Sequence, residues 1–315
     1  FIAGWGQFLP FFIKDGVEVV NDAKGGRSSR LFINEGRFDN IEKNISAGDY
    51  LLIEFCHNDD ASKEYKTMYN RLTPLGEPDS DGRFPIIPGE AMPKDYIPPE
   101  YIDALRKDEN VKDKQAVLDS VYKILESYPH DTYYPYSADG SKGTYLWFLK
   151  QFVDMAREKG AVPVFVTAPA RTVYDANGNI KDGAGLHGGN NFAYIRAMKQ
   201  LGEEAKVPVI DLFAYSCGLY KQIGKEKIHW ITSIKKGCNK GIWPDDFNSE
   251  MQKKETVSED THFNKYGAML ITQGLVKLIK ESDSSQLDGL KGMLKNPDGI
   301  DIEKYVKKPL VCEEC

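Results

Sequence analysis

The chain has 315 residues, enough to bury a sizeable core in roughly one or two domains, and it carries a formal net charge of −6. Its 41 basic and 47 acidic residues do not indicate a nucleic-acid-binding protein, because such proteins usually concentrate lysine and arginine on one face. Its longest apolar runs are too short to span a bilayer, and five cysteines are too few for a disulfide scaffold at this length, so we expect a soluble globular protein.

The N-terminal part of the chain predicts a short helix, a strand and a glycine-rich loop. The aromatic segment Trp5–Ile13 is expected to be helical, since a proline is tolerated near the start of a helix. Val17–Val20 is typical of a buried strand, and Gly25 and Gly26 come soon after it. Glycines in this place allow close approach of the backbone to a bound group and leave N–H groups free to point at it. An ordinary turn between a strand and a helix is the alternative interpretation.

A second strand is predicted over Tyr50–Phe55, a largely apolar run typical of a strand buried in a parallel sheet. Polar residues follow at once, among them His57, Asn58 and Asp59. The carboxyl ends of such strands are where open α/β sheets bind their ligands. The Asn58 amide donates two hydrogen bonds and therefore suits an oxyanion donor, whereas His57 could equally be a buried structural side chain.

The pattern becomes irregular from about residue 60 to residue 141, where proline, glycine, tyrosine and charged residues dominate. Only Ala116–Leu125 predicts a helix in this part of the chain. A structureless loop of this length would be unusual, so we interpret the stretch as an insertion beside the site with some structure of its own. Its aromatic side chains could line a carbohydrate-binding surface or pack the insertion onto the rest of the protein.

Regular alternation of helices and strands resumes after the insertion. The spacing of apolar residues predicts a helix over Tyr145–Arg157 and a strand over Ala161–Thr167. A further helix is expected over about Asn191–Ala205, followed by a strand over Val207–Leu212. The lysine-rich stretch from there to Thr256 is expected to be a loop.

An acidic and histidine-containing segment precedes the last long helix. Glu259 and Asp260 stand three and two positions before His262, and Asn264 is placed to cap the helix that follows. We therefore expect His262 in a loop at a helix N-terminus, with a carboxylate close enough to orient its ring. This is two thirds of a nucleophile, base and orienting-acid arrangement. An ordinary charged surface loop is the alternative interpretation.

Strands that alternate with helices and are apolar on both faces predict a parallel sheet in a three-layer α/β/α sandwich. Right-handed crossovers would bring the polar stretches that follow the strands to one edge of the sheet. These are Gly25-Gly26, His57-Asn58 and the residues after Thr167, and the loop of His262 is expected to join them.

Four short segments, in a fixed order, carry a resemblance to a known family: Gly4-Trp5-Gly6-Gln7, Asn21 to Ser28, Phe55 to Asp59, and Glu259 to His262. Over residues 4–60 and 143–280 the chain resembles the SGNH (GDSL-type) hydrolases, and in particular their rhamnogalacturonan acetylesterase-like branch. The resemblance implies a flavodoxin-like α/β fold. It also implies that Gly26 supplies an oxyanion N–H, that Asn58 is the side-chain oxyanion donor and that His262 is the general base.

The sequence departs from the family pattern in two ways. The family places its orienting acid three residues before the histidine, usually as aspartate, and here that position is Glu259 while Asp260 is one residue nearer. We slightly favour Asp260, because its shorter side chain matches the usual geometry. The Gly-Asp-Ser block that carries the nucleophile is also absent, and Phe1-Ile2-Ala3 resembles the end of a truncated first strand. Ser28 and Ser29 are poor substitutes for the missing serine, since the family's geometry places no nucleophile there.

The resemblance implies, for the intact parent protein, a serine-type esterase that removes O-acetyl groups from a rhamnogalacturonan- or pectin-like polysaccharide. His57 and Arg27 would contact the substrate, support the site or be structural. No metal and no organic cofactor is implied, and the partner is an acetylated polysaccharide or oligosaccharide. The alternatives are a non-catalytic carbohydrate-binding or degenerate SGNH protein, and an SGNH lipase or thioesterase.

Residues 1–281 are expected to form the SGNH-like domain, with the insertion at about 60–141, and residues 282–315 a C-terminal extension. The resemblance alone points to an extracellular or cell-surface location.

Overall fold

The computed structural model of the chain describes residues 2–60, 65–181, 192–234 and 258–306, except for the side chains of 66–68, 234 and 258–260. It divides into two compact units. One, called the sheet unit, is formed by Lys24–Ala168 and Asp182–Val209. The other, called the terminal unit, is formed by Phe1–Ala23, Pro169–Lys181 and Ile210–Cys315.

Helices and strands alternate along much of the described chain. The strands are β1 (Tyr50–Ile53), β2 (Met92–Pro93), β3 (Thr132–Tyr133), β4 (Val162–Val166), β5 (Val209–Ile210), β6 (Thr232–Ile234) and β7 (Ser258–Phe263). The α-helices are α1 (Trp5–Phe8), α2 (Ser29–Asn34), α3 (Arg37–Asn44), α4 (Tyr65–Arg71), α5 (Pro99–Lys107), α6 (Lys114–Glu126), α7 (Tyr145–Glu158), α8 (Ala193–Ala205), α9 (Leu212–Ile223), α10 (Lys265–Glu281) and α11 (Asp288–Met293).

The sheet unit contains the predicted parallel sheet. Strand β4 lies between β1 and β5, and β1 and β4 run parallel with Leu52 opposite Val164. Residues 163–166 of β4 are all buried, and because successive residues of a strand point to opposite faces, both faces of β4 are covered. The prediction of an α/β protein with a parallel sheet is therefore confirmed.

Aromatic side chains join the first helix of this unit to the sheet and to the long helix before β4. The ring centroids of Phe32 on α2 and Phe55 after β1 are 5.5 Å apart, and both rings lie within 6.0 Å of Phe152 on α7. The predicted apolar stripe of α7 is buried, as its 3.6-residue spacing requires. Gly160 ends the helix in the left-handed conformation, with a φ of +74°.

The inserted segment is more regular than its sequence predicted. Its described residues form three helices, α4, α5 and α6, and a small antiparallel ribbon of β2 and β3, whereas the sequence pattern predicts only the helix around Ala116–Leu125. Pro99 lies in the first turn of α5 and is compatible with a helix start. A backbone N–H at this position would have no partner within the helix, so proline loses no hydrogen bond there. The segment builds its own core around Leu31 of α2, from Tyr69, Ile97, Tyr101, Leu105, Val121, Leu125, Tyr128, Tyr133 and Tyr136.

The terminal unit is organised around α10. Two glycines of this helix permit close approach of its neighbours: a Cβ at Gly267 would lie 2.0 Å from the carbonyl oxygen of Ile231, and one at Gly274 would lie 2.0 Å from the ring of Tyr215 on α9. The Thr272 hydroxyl lies 3.2 Å from the carbonyl oxygen of Trp5, which joins α10 to α1.

Three predictions for this unit are wrong. Val17–Val20 forms no strand: no described residue pairs with it, and Val20 is 69% exposed, because β-branched residues favour a strand only where a pleated surface receives them. The stretch after β5, predicted to be a loop up to Thr256, contains α9, whose first turn is capped by Asp211, while its residues 235–256 lie outside the described residues. The segment of His262 was expected to be a loop but is strand β7, which pairs antiparallel with β6.

Among the helices that the structure describes, none combines the length and the apolar character needed to cross a membrane. The division into a domain over 1–281 and an extension over 282–315 stays a prediction.

Candidate active site

The chain turns sharply at Cys56, shortly after the end of β1 at Ile53, at the residues predicted to follow the strand. The backbone N–H groups of Asp59 and Asp60 both donate to the carbonyl oxygen of Cys56, at 2.9 and 3.1 Å. Cys56 and Asp59 are buried, while His57 and Asn58 between them are half-buried. The turn therefore holds Asn58 at a position partly open to solvent.

A buried carboxyl group ties this turn to the loop that precedes α2. Oδ1 of Asp59 accepts hydrogen bonds from the backbone N–H of Ser29 at 2.9 Å and from the Ser29 hydroxyl at 2.5 Å. The carbonyl oxygen of Asp59 accepts from the N–H of Thr73 at 3.0 Å and from the Tyr194 hydroxyl at 3.2 Å. Its Oδ2 is buried and makes no hydrogen bond within the described residues. Asp59 thus fixes the position of the turn through four hydrogen bonds from three residues, while its Oδ2 makes none within the described part of the chain.

Burial dominates the ionisation of this carboxyl group. It raises the pKa of Asp59 from 3.8 to about 7, although the hydrogen bonds from Ser29 and the charge of Arg30 act in the opposite direction. A group with this pKa changes its charge near neutral pH.

The loop before α2 is shaped by Gly26 and two buried serines. Gly26 has a φ of +80°, a backbone conformation that residues other than glycine adopt only with strain. The Ser28 side chain accepts from the Leu31 N–H at 3.2 Å and caps α2. Ser28 and Ser29 are both fully buried, and each hydroxyl has a structural partner. These roles agree with the expectation that neither serine is a substitute nucleophile.

The two predicted oxyanion donors lie beside the same guanidinium group. Arg71, the last residue of α4, donates from Nη1 to Oδ1 of Asn58 at 3.3 Å. A Cβ built on Gly26 would lie 3.3 Å from Nη2 of the same arginine. Gly26 and Asn58 therefore approach each other across the Arg71 side chain.

The Arg27 guanidinium is occupied by protein groups. Its Nε and Nη2 each donate to the Glu35 carboxylate at 2.9 Å, and its Nη1 donates to the carbonyl oxygen of Gly25 at 2.9 Å. Burial by itself would raise the pKa of Glu35, but hydrogen bonds and charges from Arg27 and Arg37 outweigh it and lower the pKa below its ordinary value. Arg27 therefore stabilises the loop before α2, and substrate contacts of Arg27 and His57 stay predictions.

His262 lies in the terminal unit, at the junction of β7 and α10, and its side chain is exposed. Asn264 caps α10 as predicted: its Oδ1 accepts from the Gly267 N–H at 2.8 Å. Its Nδ2 donates to the carbonyl oxygens of Trp230 and Thr232, each at 2.9 Å. The backbone two residues after His262 is thus held by three hydrogen bonds from one buried side chain.

The pairing of β7 with β6 is irregular near the histidine. Thr232 is opposite Phe263 and Ile234 is opposite Ser258, so β7 holds three more residues than β6 over this interval. Irregularities of this kind are common beside active sites, where they redirect side chains. Glu259 and Asp260 lie within the irregular part, and their side chains are outside the described residues.

Two residues beside the predicted donors were not identified from the sequence. Asp59 stands in the polar run after β1, and this position indicates a residue near the site. No sequence pattern predicts that it is buried against Ser29. Arg71 gave no signal, because it is brought to Asn58 only by the packing of the inserted segment. Within the described ranges, His, Cys, Asp and Glu side chains form no group of three or more that could hold a metal ion.

Two curated proteins of Bacillus subtilis (strain 168) resemble the chain over most of its length. It is 30% identical over 280 residues to the rhamnogalacturonan acetylesterase RhgT, a match that covers 89% of this chain and 82% of RhgT. It is 28% identical over 279 residues to the probable rhamnogalacturonan acetylesterase YesY, with 88% of this chain and 83% of YesY covered. A rhamnogalacturonan acetylesterase of Emericella nidulans is 48% identical over 59 residues, 19% of this chain and 23% of that protein.

A solved structure has the same fold. The crystal structure of YxiM from Bacillus subtilis matches with a TM-score of 0.50 and 18% identity, and the match covers 90% of this chain and 52% of the YxiM chain. The chain thus spans about half of that structure. A scan against protein-family models finds no match. On its similarity to RhgT, the chain belongs to the rhamnogalacturonan acetylesterase-like branch of the SGNH (GDSL-type) hydrolase family.

Proposed function

We propose that this chain provides most of the active site of a carbohydrate esterase that removes O-acetyl groups from a rhamnogalacturonan- or pectin-like polysaccharide. The reaction is acyl transfer through a serine nucleophile. Residues 1–315 contain no Gly-Asp-Ser block that would carry this serine. Support comes from the family to which the chain belongs and from the names of its relatives, which are rhamnogalacturonan acetylesterases.

In the proposed mechanism, the serine oxygen bonds to the carbonyl carbon of the acetyl ester while His262 takes the hydroxyl proton. A carboxylate from Asp260 or Glu259 orients the imidazole and stabilises its protonated form. The tetrahedral intermediate then expels the sugar oxygen, which receives the proton from His262. Water attacks the acetyl-serine in the same way and releases acetate.

The oxyanion of each tetrahedral intermediate would be bound by the Gly26 N–H and the Asn58 side chain. Such a donor typically contributes about 3 kcal/mol to transition-state stabilisation, because it is fixed in place before charge develops. The observation that supports these roles most strongly is that Gly26 and Asn58, 32 positions apart in the sequence, border one guanidinium group.

The test is hydrolysis of p-nitrophenyl acetate by the chain and by a restored chain, which carries an added Gly-Asp-Ser block in its N-terminal segment. We expect activity only in the restored chain, and its loss in the variant His262→Ala. His130→Ala is the matched control: His130 is 53% exposed, pairs with Asp39 and should leave the rate unchanged.

A restored chain that folds but hydrolyses no acetate ester would contradict the proposal and favour a non-catalytic carbohydrate-binding protein. A clear preference for long-chain p-nitrophenyl esters over the acetate would instead favour a lipase or thioesterase. Comparison of Asp260→Asn with Glu259→Gln identifies the orienting acid, since only its loss should lower kcat strongly.

A further inference from the structure

Four arginines lie in or near the loops that carry the predicted oxyanion donors, and three of them are committed to structural partners. Arg27 and Arg37 both bind the Glu35 carboxylate, and the fully buried Arg30 donates to three backbone carbonyl oxygens. Arg71 differs from them. Within the described residues its guanidinium makes one hydrogen bond, at 3.3 Å to Asn58, and its Nε is buried without a partner.

The backbone on both sides of this arginine is fixed to the two loops of the site. Arg30 donates from Nη2 to the carbonyl oxygen of Tyr69 at 2.6 Å and from Nε to that of Leu72 at 3.1 Å. The N–H of Thr73 donates to the carbonyl oxygen of Asp59 at 3.0 Å. The end of α4 is therefore tied both to α2, directly after the glycine loop, and to the turn after β1.

We propose that Arg71 is a positioning residue of the oxyanion site, an inference that rests on the function proposed above. Its guanidinium holds the carbonyl end of the Asn58 amide. Because an amide oxygen accepts and the amide nitrogen donates, this contact leaves the two N–H bonds of Asn58 for the substrate. The inserted segment thereby contributes to catalysis through Asn58.

The experiment measures kcat and KM for p-nitrophenyl acetate in the restored chain with Arg71→Met, Arg71→Lys, Asn58→Ala and the double variant of Arg71→Met with Asn58→Ala. Arg71→Met should lower kcat by about 10-fold or more and change KM by less than about two-fold, because the contact matters most in the transition state. Arg71→Lys should recover part of kcat, since lysine restores the charge and one donor but not the planar fork.

The double variant gives the decisive result. If Arg71 acts through Asn58, Arg71→Met should cause no further loss of kcat once Asn58 is alanine. Arg106→Met is the matched control, because Arg106 lies on α5 of the same inserted segment, is 72% exposed and pairs with the exposed Asp103. Circular dichroism and thermal unfolding establish that each variant is folded.

The proposal is overturned if a folded Arg71→Met variant keeps full kcat, or if it loses the same factor with and without Asn58. It is also overturned if Arg71→Met leaves p-nitrophenyl acetate hydrolysis intact and raises KM only for acidic acetylated oligosaccharides, since Arg71 would then bind a substrate carboxylate. These results leave the proposed function standing. A folded restored chain without any activity, by contrast, removes both proposals.

Discussion

Two buried polar side chains, one in each unit, support segments that carry predicted site residues, and they differ in how completely their hydrogen bonds are satisfied. Asn264, 3% exposed, supports the backbone after His262 through three hydrogen bonds that use both ends of its amide. Asp59, fully buried, supports the turn of Asn58 through Oδ1 alone, while its Oδ2 makes no hydrogen bond within the described residues. The neutral side chain of Asn264 thus supports the predicted base, His262, and the ionisable side chain of Asp59 supports the predicted oxyanion donor, Asn58.

The difference follows from the cost of burying charge. A buried amide whose donors and acceptor are paired adds rigidity at little cost, whereas a buried carboxylate favours protonation unless enough donors surround it. We therefore expect the support that Asn264 gives to the segment of His262 to be independent of pH. The support that Asp59 gives to the loops of Gly26 and Asn58 should instead change with pH.

The largest effect is expected for Asn264→Ala. The substitution leaves the Gly267 N–H and the carbonyl oxygens of Trp230 and Thr232 without their partner, and each buried unsatisfied group costs roughly 1–3 kcal/mol. The free energy of unfolding, measured by urea denaturation, should fall by about 4 kcal/mol.

Asn296→Ala is the matched control, because Asn296 caps an exposed turn with a single 3.3 Å hydrogen bond and should cost less than about 1 kcal/mol. Equal losses in the two asparagine variants would show that Asn264 is not the anchor described above.

The next effect is the pH dependence that Asp59 brings to stability. Its pKa is about 7 in the folded protein and near 3.8 when unfolded, so between these values the folded state binds more protons. The stability due to this group is therefore complete below about pH 4 and is lost as pH rises to about 7, by about 4 kcal/mol in all and by about 3 kcal/mol between pH 4.5 and pH 8.

The measurement is the difference in unfolding free energy between the chain and its Asp59→Asn variant at pH values from about 4.5 to 8. The amide that replaces the carboxyl group in this variant cannot ionise, so the difference should move steadily in favour of the variant as pH rises. A difference that stays constant over this range would contradict the raised pKa of Asp59.

Ser29→Ala should have a smaller effect that also depends on pH. It removes the hydroxyl that donates to Oδ1 of Asp59 at 2.5 Å, and hydrogen bonds to charged groups contribute about 1.5–3 kcal/mol. Thermal unfolding should show a larger loss at pH 8, where Asp59 is mostly ionised, than at pH 5.5, where it is mostly protonated. The opposite order would mean that the hydroxyl does not support the ionised form.

The smallest effect is expected for Arg27→Met. Arg27 is bound to Glu35, but the two side chains are 26% and 20% exposed, so solvent screens the pair. The free energy of unfolding should fall by about 1 kcal/mol or less, with KM for acetylated rhamnogalacturonan unchanged in the restored chain. A marked rise in KM would support the earlier prediction that Arg27 contacts the substrate.

The parts of the structure that were predictable are those in which a local pattern determines the outcome. The sequence predicts the apolar stripe of α7, the buried strand β4 and the Asn264 cap correctly, since periodicity and capping depend only on neighbouring residues. The helix α9 was missed, although Leu212, Ser216 and Tyr220 are buried at the four-residue spacing of a helix face. Its serine, cysteine and glycine residues are weak helix formers, and tertiary contacts override their propensity.

The site was predictable only in part, for the same reason. Gly26 and Asn58 stand in recognisable segments, but the convergence of Arg71 on both depends on how the inserted segment folds around Leu31. The buried contact of Asp59 with Ser29 likewise joins positions 30 residues apart, and no local pattern encodes it. Val17–Val20 shows that a local pattern can also mislead. The segment has the residue pattern of a strand but forms none, because no described residue pairs with it.

The most direct test of the central claim is acetate release from acetylated rhamnogalacturonan by the restored chain, compared with its His262→Ala and Asn58→Ala variants. We expect acetate release by the restored chain, none above background with His262→Ala, and a kcat lower by about 100-fold or more with Asn58→Ala. Release that persists unchanged in folded forms of both variants would contradict the assignment of this site.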